Sequence, residues 1–173
     1  MYRNNLFIYI WTWIVASFSY YLTYFFIKYL EGDVFKNTIG AALSEMIGYM
    51  VTGVIYERLG LKISYVIFFL LGAIGSALYL FFVHQHPDLA PIILLFTVYG
   101  LSSNCMNNWL SNSRLFPVIY ASTTNGIASF FARFLNILVP QVAELPQPVP
   151  MLVISIGGIS AGIAATMLKT KFT

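Results

Sequence analysis

The sequence predicts an all-α integral membrane protein, a single domain over residues 1–173 built as a bundle of six transmembrane helices. Three observations lead there. Of the 173 residues, 59% are apolar and only 9% are charged, whereas a soluble domain carries about 25% charged residues. Nine basic and six acidic side chains cannot solvate the surface of a 19.5 kDa sphere, so the bilayer is the solvent for most of the chain. Six apolar stretches also approach the roughly 20 residues that a spanning helix needs, separated by polar or helix-breaking clusters. Finally, Arg3, Arg58, Lys62, Arg114, Lys169 and Lys171 fall at the end shared by the two termini, and only Lys28 and Lys36 fall in the opposite loops. That asymmetry predicts a multi-pass protein with both termini on the cytosolic or matrix-equivalent side.

The first span, about residues 6–28, is too long and aromatic for a signal-peptide core and lacks a small-residue cleavage site. The second, 35–56, carries Gly40, Ser44, Gly48 and Thr52 at one-turn spacing, and the third, 64–83, repeats the pattern with Gly72 and Ser76. The fourth, 90–110, ends in a polar run of Ser102, Ser103, Asn104, Asn107, Asn108 and Ser111. That run either continues a hydrated path or joins helices by hydrogen bonds. Pro117 and Pro140 bracket the fifth span, 118–140, where prolines at helix ends cost little. The sixth, 149–168, follows the Pro146, Pro148 and Pro150 cluster and holds Gly158 and Gly162. The small-residue stripes read as surfaces where helix backbones approach closely, the alternative being close approach of a ligand.

Several functions drop out. The net charge of +3 is small and scattered, which gives no footprint for nucleic acid. A single cysteine, Cys105, excludes an internal disulfide framework and a cysteine metal site. There is no glycine-rich phosphate loop and no hydroxyl nucleophile near an intramembrane base, so neither an enzyme nor a cofactor is expected. His84, His86 and Asp88 share one loop and read as a solvated turn in preference to a metal site.

Ionisable groups inside a span are costly and mark sites by default. Glu45 lies about 15 Å from the far end of its helix and Arg133 about 10 Å from the same end of its own. Tyr20, about 12 Å down, and Tyr99, about 14 Å down, share that layer. Such a set suits a polar cavity for an amphipathic organic ion; alternatively Glu45 and Arg133 neutralise each other as a structural pair and the tyrosines pack.

The loop between the second and third spans reads Gly53-Val-Ile-Tyr-Glu57-Arg58-Leu-Gly60-Leu-Lys62. Physically it is a capped tight turn anchored at the headgroups. It also resembles the signature loop of the major facilitator superfamily, Gly-x-x-x-(Asp/Glu)-Arg-x-Gly-x-(Lys/Arg), at every fixed position. Trp13 through Ser17, Phe18, Tyr20 and Tyr21 resembles the Trp-x-x-x-Ser-Phe-x-Tyr-Tyr of the organic cation/anion transporter family, and Glu45 with Tyr49 matches its Glu-x-x-x-Tyr. Leu115-Phe116-Pro117, Thr123, Gly126, Ala132-Arg133, Ile137-Leu138 and Pro140 follow a third family segment.

The resemblance covers essentially all 173 residues and maps onto helices seven to twelve of a twelve-helix transporter. It implies that spans one, two, four and five line a substrate path, with Tyr20, Tyr21, Glu45 and Arg133 in its wall, and that spans three and six face lipid. It also implies an organic-ion substrate, with Arg133 leaning toward anions and Glu45 offsetting that. Three departures stand against it. Arg114 replaces the family's acid and Ala121 its arginine, which removes a cytosolic charge pair; Leu135-Asn136 replaces a Gly-Gly; and helices one to six have no counterpart. Two expectations follow. One is a half-transporter of small organic ions, working with a second six-helix half or a homodimer partner. The other is a degenerate, non-transporting half serving as an accessory subunit of a larger membrane complex.

Overall fold

The computed structural model describes residues 2–27, 33–82 and 89–169, and within them the chain is entirely helical apart from turns. The helices are α1 (Tyr2–Ile27), α2 (Val34–Leu59), α3 (Leu61–Phe82), α4 (Ala90–Leu115), α5 (Val118–Asn136), the one-turn α6 (Val139–Ala143) and α7 (Val149–Thr166). Lys28, His84, His86, Asp88 and Lys171 lie outside the described residues.

Four helices, α1, α2, α3 and α7, are long and apolar enough to cross a membrane. The six expected from the sequence are reached only if α4 and α5 also cross, and those two have the length, 26 and 19 residues, without the hydropathy. In α4 the polar run faces inward: Ser102, Ser103, Asn104, Asn107, Asn108 and Ser111 are all fully buried, whereas Ile92, Phe96 and Trp109 are exposed. That inverts the usual arrangement of a soluble helix. Element ends differ from the sequence expectation too. Helix α4 runs five residues further, to Leu115, and the fifth span breaks at Asn136 so that Pro140 falls in the first turn of α6, where its missing N–H is no loss.

Helix α4 is the hub and packs on α1, α2 and α3, while α7 closes the back against α1 and α3. Helix α5 rests on α1, whereas α1 and α2 scarcely touch. The α3–α4 contact is the closest, since a Cβ on Gly100 would sit 2.6 Å from the Gly72 amide nitrogen. Gly48 also lies close on α4, with its Cβ position 2.9 Å from Ser103 Oγ and 3.2 Å from the Tyr99 carbonyl, and Ser44 donates to the Leu95 carbonyl at 2.8 Å. The stripe of small residues on α2 is thus a packing surface against α4. Ser76 and Ser155, 2.7 Å apart, join α3 to α7.

Two apolar clusters fill the interior. At the end holding the termini, Tyr9, Tyr65, Phe69 and Leu168 pack together; toward the far end, Leu22, Phe26, Leu94, Met151 and Ile154 do so. Buried Asn5 ties the termini by donating to the Lys169 carbonyl at 2.8 Å and accepting from its amide at 3.0 Å.

The turn between α2 and α3 is a single residue. Gly60 has φ +82°, a conformation open to glycine and strained for other residues, and its N–H caps the Tyr56 carbonyl. Of the other motif residues, Glu57 and Arg58 are exposed, Lys62 is half-buried, and Gly53 has open space where a side chain would begin.

Candidate functional site

Every element of the site follows from helical spacing. On α1, Trp13, Ser17, Tyr20 and Tyr24 recur at i, i+4, i+7 and i+11, which places them on one face. Ser129, Ala132, Arg133 and Asn136 do the same on α5, and Cys105 and Trp109 on α4. These faces converge on a cavity of about 250 Å³ between α1, α2, α4 and α5. Helix α1 supplies Trp13, Ser17, Tyr20 and Tyr21 to its wall, α2 supplies Tyr49, and α4 and α5 supply the residues just named. Beyond Arg133, a more open groove of about 420 Å³ continues along Tyr21, Phe25, Val139 and Pro140.

Five of the eleven lining residues are aromatic. Trp13 and Trp109 meet edge to face at 5.3 Å, and Tyr20 stands edge-on to Tyr21 at 5.4 Å. Asn136 donates to Ser17 Oγ at 2.7 Å, so the bulk that replaces a Gly-Gly in the resembled family becomes a link between α5 and α1.

Glu45 sits behind this wall. Its carboxylate accepts hydrogen bonds from three phenols: Tyr20 at 3.1 Å to each oxygen, Tyr24 at 2.6 Å, and Tyr49. Two of these, Tyr20 and Tyr49, line the cavity as well. Because α1 and α2 are otherwise apart, the cluster is also the principal bridge between them.

Arg133 takes no part in it. Among the described residues, its guanidinium has no hydrogen-bond or ion-pair partner, and the structural ion pair weighed for Glu45 and Arg133 is not what the side chains form. Glu45 finds hydroxyls, because Tyr24 and Tyr49 each lie one turn from Tyr20 or Glu45 and reach it first.

Of the five residues expected in a binding site, Tyr20, Tyr21 and Arg133 line the cavity and Glu45 contacts it through tyrosines. Tyr99 stands elsewhere: its ring packs edge to face on Phe68 of α3 at 6.1 Å, and its carbonyl accepts from Ser102 and Ser103. Residue counting along a helix leaves direction around the axis open, and Tyr99 turns toward α3 instead of the cavity. Sequence reasoning did not single out Trp109, Cys105 and Asn136 of the wall, or Tyr24 at Glu45, although Asn136 is i+3 from Arg133, Tyr24 is i+4 from Tyr20, and Trp109 is i+4 from Cys105.

The polar run on α4 is a seam between helices. Asn108 Oδ1 accepts from Thr12 at 3.1 Å and from Tyr65 at 2.7 Å, Tyr9 donates to its carbonyl at 3.2 Å, and Ser64 donates to Asn107 Oδ1 at 2.9 Å. Only Asn104 Oδ1 and Asn107 Nδ2 lack a protein partner within the seam. At the α4–α5 turn, Asn112 donates to the Ala121 carbonyl at 2.9 Å and accepts from Thr124 at 3.0 Å, while Arg114 is exposed.

Among the described residues no group of histidine, cysteine and carboxylate side chains could hold a metal ion. No protein-family model matches the chain.

Proposed function

We propose that the protein takes part in moving small organic ions across a membrane, as a six-helix half of major facilitator type that needs a second six-helix body. One observation carries this reading. An arginine without a partner among the described residues lines a cavity rich in aromatic side chains at membrane depth, and a charge in that position is costly unless water, a ligand or a partner protein meets it. The cavity lies between α1, α2, α4 and α5, the four helices that the resemblance puts along the substrate path. In this reading all six long helices cross, α4 because its polar groups are turned inward and α5 because its polar face meets the cavity.

The test is uptake of labelled organic anions and cations into vesicles holding the purified protein with whatever copurifies in mild detergent. Uptake that is lost in Arg133→Ala, with unchanged expression and assembly, is the expected result. Absence of uptake for both charge classes would leave the reading without support.

The accessory-subunit reading is favoured by the α4–α5 turn. There Asn112 holds the turn with neutral hydrogen bonds, and Arg114 and Ala121 offer no charge pair to latch an opposing half. Its signature is stable incorporation into a large membrane complex, with no uptake and no effect of Arg133→Ala on assembly.

A further inference from the structure

The open side of the bundle is bounded by α2 on one flank and α5 on the other, and the two flanks are built alike. On α2, Thr38, Ala42, Glu45 and Tyr49 recur at i, i+4, i+7 and i+11; on α5, Ser122, Gly126, Ser129 and Arg133 repeat that spacing. Each stripe runs through the cavity wall, at Tyr49 on one side and at Ser129 and Arg133 on the other. Lipid is a poor cover for such a face, because it holds two ionisable groups and several hydroxyls at membrane depth.

The two charges have opposite sign and equal height. Measured from the ends of α2 and α5 nearest the termini, Glu45 stands at about 21 Å and Arg133 at about 22 Å. Four hydroxyl contacts fill the acceptor sites of Glu45 yet cancel no charge, and Arg133 has no partner among the described residues. Glu45, half-buried behind Tyr49, makes α2 the negative flank of the open face, and exposed Arg133 makes α5 the positive one. A two-fold axis running along the bundle through this face brings α2 of one copy to α5 of the other, and does so twice, so both negative flanks meet positive ones. Gly53 on α2 and Gly126 on α5 add bare backbone, with nothing within 4 Å of either Cβ position, which lets facing helices approach closely. We propose that this face is the interface of a parallel homodimer in which α2 packs against α5 of a second copy and the two half-cavities close into one.

The inference rests on the open face and holds whether or not a solute passes through. Its test is disulfide trapping in membranes, in a Cys105→Ala background, with two differently tagged copies. One carries Gly53→Cys, at about 9 Å from the end of α2, and the other Gly126→Cys, at about 12 Å from the end of α5. Mild oxidation is expected to give a cross-linked dimer when the two are coexpressed and none when either is expressed alone. A mixture that stays monomeric, or single variants that cross-link as strongly as the mixture, overturns the proposal. The unsubstituted protein in lipid nanodiscs gives an independent readout. Twice the chain mass is expected there, falling to the chain mass in Arg133→Glu, where both flanks are negative. A single chain, alone in lipid or bound to a different membrane protein, overturns it.

Discussion

Helices α4 and α5 both fall short of membrane hydropathy because of serine, threonine and asparagine, yet they put those residues to opposite use. On α4 the polar side chains are buried against α1, α2 and α3, where phenols and hydroxyls of α1 and α3 meet them. On α5, Ser122, Thr123 and Arg133 are exposed, while Thr124, Asn125 and Asn136 bond to neighbouring helices. Polarity on α4 joins the helices of the bundle, whereas part of the polarity on α5 stays on its surface.

The largest effect should come from adding one methyl to each helix. Gly100→Ala places a carbon against the Gly72 backbone, which cannot yield as a side chain would; overpacking of this kind costs about 1–3 kcal/mol and sometimes more. Gly126→Ala, with open space around it, should leave the melting temperature in detergent unchanged. Equal melting of the two variants would erase the distinction between a closed and an open helix.

Asn108→Leu comes next. It removes the acceptor shared by Thr12 and Tyr65, and the buried Thr12 hydroxyl then keeps only its bond to the Tyr9 carbonyl. Stranding buried polar groups costs about 1–3 kcal/mol, although pairs in membrane proteins average nearer 0.6 kcal/mol, so a loss of about 1 kcal/mol in thermal or denaturant unfolding is expected. A more stable variant would show that the seam serves a hydrated path and not cohesion.

The smallest shift sharpens the comparison from the other side. Asn136→Ala removes one α5–α1 hydrogen bond, of about 0.5–1.5 kcal/mol, and should loosen α5 without disturbing α4. Amide exchange is the measurement: faster exchange confined to α5 is expected, and faster exchange spreading into α4 would make the two helices one cooperative unit.

Parts of the site were legible because the rise of a helix is constant. Glu45 and Arg133 could be set in one layer by counting residues, and Tyr20 with them. Rotation about each axis could not be counted, and it decided that Tyr99 turns to Phe68 and that Tyr24 and Tyr49 reach Glu45. The glycine stripe on α2 was legible as packing because bare backbone at one-turn intervals has few other uses in a membrane.

By itself, then, the sequence determined the all-helical, apolar character of the chain, the Gly60 turn and the spacing of each charge along its helix, since composition, hydropathy and residue rise are properties of the chain alone. Only the tertiary structure decided which polar face was closed and which stayed open. Close contacts such as Gly72 on Gly100 and Gly48 on α4 set how each helix is rotated and where it sits, and that rotation put Asn108 among hydroxyls and left Arg133 in a cavity wall without a partner among the described residues.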